Sequence, residues 1–190
     1  MPGGAVISVA DFIDLASPKT VSKTLTRICD NGVIHRVMRS IFWKPVATER
    51  GPKPEDVADA LARENGWETA PSKETALMLF ELEDGMPTVY TYVTNGTNRT
   101  YRYGEHTITF THVGEKALKA MTKKTRTLVQ CIKAYGKEKL SDERLSKIAD
   151  KILGWDLPSL KEETKSVSRW IRVALKRITA AAKAKQEVRA

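Results

Sequence analysis

The chain has 190 residues, 41% of them hydrophobic and 29% charged, with a formal net charge of +9. That length supports one domain or two small ones around a real core, and no apolar run approaches the roughly 18 residues of a membrane span, which excludes a membrane-embedded protein. The charge is uneven: residues 1–52 carry a net +3, 53–110 a net −5 and 111–190 a net +11, as expected of a chain with a nucleic-acid or other acidic partner.

The N-terminal run MPGGAVISVADF lacks the basic start and long apolar stretch of a secretory signal, and Asp11 interrupts it early. Only two cysteines occur, Cys29 and Cys131, each in an amphipathic run. They read as reduced thiols of a cytoplasmic protein. SVADFIDLA offers Val9, Phe12, Ile13, Leu15 and Ala16 to a partner and predicts a first short helix. Ser17 and Pro18 then open a second, because Ser caps a helix and Pro at its first position gives up only an orphaned N–H. Val21, Leu25, Ile28 and Cys29 share an arc of about 100° and form its buried stripe, while Lys19, Lys23, Thr26 and Arg27 point the other way. Asn31-Gly32 ends it. Two short helices joined tightly form a helix-turn-helix. VIHRV and IFWKP, on either side of MRS, predict a hairpin with Arg36, Arg39 and Lys44 near its tip or edges. Together these elements predict a winged helix, with the second helix in the major groove and the basic hairpin along phosphate.

Residues 47–54 read as a linker, from their prolines, glycine and mixed charge, between a DNA-binding domain over 1–46 and a second domain over 55–190. Pro54 and the acids after it begin a helix that Asn65-Gly66 stops. WETA predicts a short strand, and Ser72 opens a helix to about Phe80. Thr88 to Thr111 is dense in Thr, Tyr, Val and Ile between turn signals and predicts a three-stranded meander. Asn95 and Asn98 sit in glycosylation-like triplets that read as turns. Tyr90, Tyr92, Tyr101, Tyr103 and Phe110 alternate as core residues do, in preference to a base-stacking platform. From Glu115 onward three or four helices follow, with a frayed Ala/Lys tail after Ala180. The fold class is α+β: an N-terminal winged helix-turn-helix, then a domain with a small antiparallel sheet and several helices.

The stretch GAVISVADFIDLASPKTVSKTLTRICDNGVIHRVMRSIFWKP resembles the N-terminal winged helix of AbiEi-type antitoxins of type IV toxin–antitoxin systems. PEDVADALARENGWETAPSKETALMLFEL and VYTYVTNGTNRTYRYGEHTITFTH extend the similarity over about residues 4–135. The resemblance implies an antitoxin that binds double-stranded operator DNA, represses its own operon and counters a nucleotidyltransferase toxin. It assigns groove contact to Lys19, Thr20, Ser22, Lys23, Thr26 and Arg27, and phosphate contact to Arg36 and Arg39. One position departs from the family: its wing turn carries Arg-Gly, whereas here Ser40 follows Arg39, and Ser does not share glycine's indifference to positive φ.

No chemistry competes with this reading. Phosphate-cradling glycine motifs are absent, and Glu81, Glu83 and Asp84 read as a solvated loop. His35, His106 and His112 are too scattered for a zinc site. The expectation is a non-enzyme without metal or cofactor. Lys119, Lys123, Lys124 and Arg126, with Arg169, Arg172 and Lys176 on the last helix, form a second basic surface open to DNA phosphate, an acidic protein face or water alone. Two alternatives share these features: a stand-alone winged-helix regulator, and a non-catalytic interaction or anti-defence protein.

Overall fold

Ser17 and Pro18 open the first helix as their chemistry dictates. In the computed structural model, which describes residues 2–48, 50–85, 87–115, 118 and 120–189, helix α1 spans Pro18–Asp30. The Ser17 hydroxyl accepts the Thr20 amide at 3.3 Å, and Gly32 takes φ 73° just beyond the end. Such a cap is worth about 1 kcal/mol. Val21 and Leu25 are buried with Ile7, Val9, Ile34 and Phe42, and Ile28 and Cys29 pack partly buried against them.

The approach to α1 differs from the expected helix pair. Val6–Ser8 is a strand, β1, and only Val9–Phe12 coils, as a single 3₁₀ turn. Tertiary pairing overrides the helical spacing here: Val6, Ile7 and Ser8 lie opposite Trp43, Phe42 and Ile41, while Ile13 and Leu15 are 54% and 81% exposed and give a longer helix nothing to bury. The hairpin forms where expected, from β2 (His35–Met38) and β3 (Ile41–Trp43). Strand β3 lies centrally in the order β1-β3-β2, antiparallel to both neighbours, and all three of its side chains are buried.

Arg39 and Ser40 make the two-residue turn, and Ser40 sits at φ 64°. A non-glycine residue in the left-handed region costs about 1–2 kcal/mol, of which glycine's larger unfolded-state entropy returns a part. Ser40→Gly is therefore expected to stabilise the protein by about 0.5–1 kcal/mol, read as a rise in urea midpoint at unchanged m-value.

Helix α2 (Pro54–Glu64), which follows the 47–54 segment, lies in the same compact unit as residues 1–46. It packs on β1 and the 3₁₀ turn, burying Val57, Ala58, Ala60 and Leu61. Its end is tied down: Arg63 Nε and Nη2 meet the two Asp11 carboxylate oxygens at 2.8 and 3.2 Å, and the Ala10 amide donates to Glu64 at 2.9 Å. Residues 1–68, 88–90 and 98–109 form one compact unit and 69–87, 91–97 and 110–190 a second. Proline and glycine in 47–54 shape the backbone there, but apolar burial beyond them decides which unit α2 joins.

Burial raises the Asp11 carboxyl, yet the Arg63 guanidinium and the Ser8 amide outweigh it and leave its pKa below the usual carboxylate value. A depressed acid stabilises the fold above its unfolded pKa of about 3.9 and loses that contribution as pH falls through the folded value. Below about pH 4 the first unit should weaken in urea titrations, and Asp11→Asn should flatten that part of the profile.

The four-stranded sheet has β4 (Thr69–Pro71), β5 (Val89–Thr94), β6 (Arg99–Tyr103) and β7 (His106–His112) in the order β4-β5-β7-β6. The expected meander is therefore incorrect, because β7 inserts beside β5. Apolar alternation explains the choice. Tyr90 and Tyr92 on β5 are buried, as are Ile108 and Phe110 on β7, whereas β6 exposes Arg99, Thr100 and Arg102 and takes the edge. Tyr92 and Phe110 stack at 5.5 Å, and the Tyr103 hydroxyl donates to the Pro52 carbonyl at 2.7 Å.

In the second unit α3 (Lys73–Leu79) is followed by α4 (Lys123–Tyr135), α5 (Asp142–Lys151), α6 (Leu157–Glu163) and α7 (Arg169–Arg189). Thr122, Ser141 and Asp156 each cap a helix through their side-chain oxygen. Leu128, Ile132, Ile148, Ile152, Ile171 and Ile178 anchor their shared core. Cys131 is buried and donates to the Ala76 carbonyl, and burial pushes its thiol up to about 12. The expected frayed tail is instead docked. Ala182 is fully buried, and Lys185 Nζ reaches Ser146 Oγ at 2.8 Å and Asp150 at 2.7 Å.

Candidate nucleic-acid interface

A helix that buries Val21 and Leu25 must show its opposite side to solvent. On α1, Lys19, Lys23 and Arg27 follow at intervals of four residues, within about 80° of arc and about 6 Å apart along the axis. All three are exposed, as are Thr20 and Ser22. Asp30, the last residue of the helix, is the one acid of α1 and is exposed at its far end. The basic ridge thus occupies the first two and a half turns, with hydroxyls on both flanks.

Thr26 is only partly exposed, because it is a structural joint: its hydroxyl donates to the Ser22 carbonyl at 2.9 Å and accepts from Arg36 Nη2 at 2.9 Å. The Arg36 guanidinium also lies 5.1 Å from the centre of the Phe42 ring. Arg36 therefore braces the hairpin against α1, a role the sequence reading missed; no local spacing links residues 26 and 36. Arg39 is exposed at the hairpin tip. Lys44 lies past β3, at the end away from the tip, where its backbone pairs with Gly4 and Ala5. Helix and hairpin bring together Lys19, Thr20, Ser22, Lys23, Thr26, Arg27 and Arg36, with Arg39 beyond them at the turn.

The matching family is described as a family of unknown function, DUF6088, and its model covers residues 1–160. The chain belongs to DUF6088. No curated protein matches it. The family match spans the whole of the α1 ridge and the hairpin of this DUF6088 protein, and stops before α7.

The second basic surface divides. Lys123 and Lys124 are exposed on the first turn of α4, and Lys119 lies outside the described residues. Arg126 is partly buried, its Nε donating to the Met121 carbonyl at 2.8 Å and its Nη1 to the Thr69 carbonyl at 3.4 Å. Arg169, Arg172 and Lys176 are exposed on α7. Among the described residues no three His, Cys, Asp or Glu side chains converge on a metal position, and no helix is long and apolar enough to cross a membrane.

Proposed function

We propose that this DUF6088 protein binds duplex DNA through the outer face of α1 and the β2–β3 hairpin, as a winged helix does. The observation that carries the reading is the exposed ridge Lys19, Lys23 and Arg27, diametrically opposed to the buried Val21 and Leu25. The order of elements supports it. Strand, short turn, helix and hairpin follow one another, and β3 lies between β1 and β2, an arrangement that leaves α1 with a free face and a hairpin just beyond its end. Thr20 and Ser22 supply hydroxyls for base edges, and the cations neutralise phosphates and release counterions. Arg36, held by Thr26, fixes the spacing between helix and hairpin so that both meet the duplex together.

Five cations on this surface correspond to a salt slope of about −4.5, or roughly a 500-fold loss of affinity between 50 and 200 mM salt. Fluorescence anisotropy with a labelled duplex at both salt concentrations tests this. Absence of duplex binding at the lower concentration rejects the proposal. The resemblance to AbiEi-type antitoxins extends the proposal to autorepression and to a nucleotidyltransferase toxin as partner. A nucleotidyltransferase gene beside this one supports that extension, and its absence favours the stand-alone regulator.

A further inference from the structure

A groove of about 740 Å³ runs along α6 and α7 within the second unit. Its cationic rim is Lys161, Lys165, Arg169, Arg172, Lys176 and Lys183, and no acid lines it among the described residues. Arg169, Arg172, Lys176 and Lys183 lie in one stripe about 60° wide and extend over about 21 Å of helix. Lys165 pairs with Glu162, whereas Lys161, Arg169, Lys176 and Lys183 make no ion pair among the described residues. Leu157, Leu160, Val173 and Leu175 supply its apolar lining; Leu160 and Leu175 are buried to 3% and 5% exposure, and Val173, 52% exposed beside the basic stripe, offers the open apolar surface.

A duplex backbone needs protruding cations but has no use for an aliphatic surface, whereas an acidic amphipathic helix uses both, its apolar face on Val173 and its carboxylates at the rim. We infer that this groove docks an acidic amphipathic helix of a partner protein, with Val173 under its apolar face and Arg169, Arg172 and Lys176 against its carboxylates. Like charges repeated every three or four residues give helix and partner the same axial period of about 5–6 Å. This surface shares no residue with the α1 ridge.

The test uses the full chain and a fluorescent 18-residue peptide with Leu on one helical face and Glu on the other, beside a scrambled peptide of the same composition. The patterned peptide is expected to bind, and to bind more weakly at about 300 mM salt than at about 50 mM. Arg172→Glu with Lys176→Glu should weaken it about tenfold or more, Val173→Asp should do the same through the apolar surface, and Lys23→Glu should leave it unchanged. Circular dichroism of each variant confirms the fold. Equal binding of the scrambled peptide, or no binding of the patterned one, overturns the inference. So does loss of duplex binding in the Arg172→Glu, Lys176→Glu variant without peptide binding, which assigns the groove to phosphate. Failure of the α1 reading shows separately, as an unaltered duplex affinity in Lys23→Glu.

Discussion

Deleting residues 169–190 is expected to unfold the second unit. Helix α7 buries Ile171, Ala174, Leu175, Ile178 and Ala182 to 5% exposure or less, mainly against α5. Three large aliphatic side chains at about 1.5–3 kcal/mol each, with the alanines, amount to roughly 6–10 kcal/mol, against a typical total stability of about 5–15 kcal/mol. The deletion also strips cover from Ile148 and Leu145, so the loss exceeds the side chains removed. Urea unfolding of the truncated chain should show no cooperative transition for this unit, and its exposed core should bind ANS. A native-like midpoint would contradict the packing described. The family match ends at residue 160, but the core of this unit requires the helix beyond it.

Lys23→Glu is expected to lower duplex affinity by at least tenfold at low salt, since one phosphate-neutralising cation becomes a repelling anion; a factor of ten is about 1.4 kcal/mol. The thermal midpoint should hardly move, because Lys23 is exposed opposite the buried stripe. Leu25→Asp, two residues away, should do the reverse. Leu25 is 6% exposed, and a carboxylate placed there has no partner, at a cost of several kcal/mol that dissolves the first unit before binding can be asked about. The pair separates surface from core on one helix, with anisotropy and thermal melts as the two readouts. Arg36→Ala should fall between them, loosening the hairpin while leaving α1 intact.

Helix α1 was legible from sequence because its determinants are local: a Ser cap, a Pro at the first position, a stripe every three to four residues and an Asn-Gly stop. The hairpin was legible for the same reason, and the outward positions of Lys19, Lys23 and Arg27 follow from the stripe. What failed depended on distant partners. Val6–Ser8 carries no alternation long enough to announce a strand, and becomes one because β3 offers an edge. The order β4-β5-β7-β6 turns on Tyr92 stacking on Phe110, eighteen positions away in sequence. The assignment of α2 to the first unit turns on the burial of Val57, Ala58, Ala60 and Leu61 against β1 and the 3₁₀ turn, which the Arg63–Asp11 pair only fastens. The tail after Ala180 is Ala/Lys-rich and reads as frayed, yet Ala182 and Lys185 hold it to α5. Lys161, Lys165 and Lys183 escaped the basic-surface reading because a groove between two helices has no signature in either one.

The claim on which the functional account rests is that α1 and the hairpin form the face that meets DNA. Amide chemical-shift mapping of the full chain on addition of duplex tests it most directly. The account predicts perturbations concentrated at residues 19–27 and 36–40, fading as salt rises. Perturbations confined to α6 and α7, or absent from residues 19–27 while the duplex is bound, would contradict it.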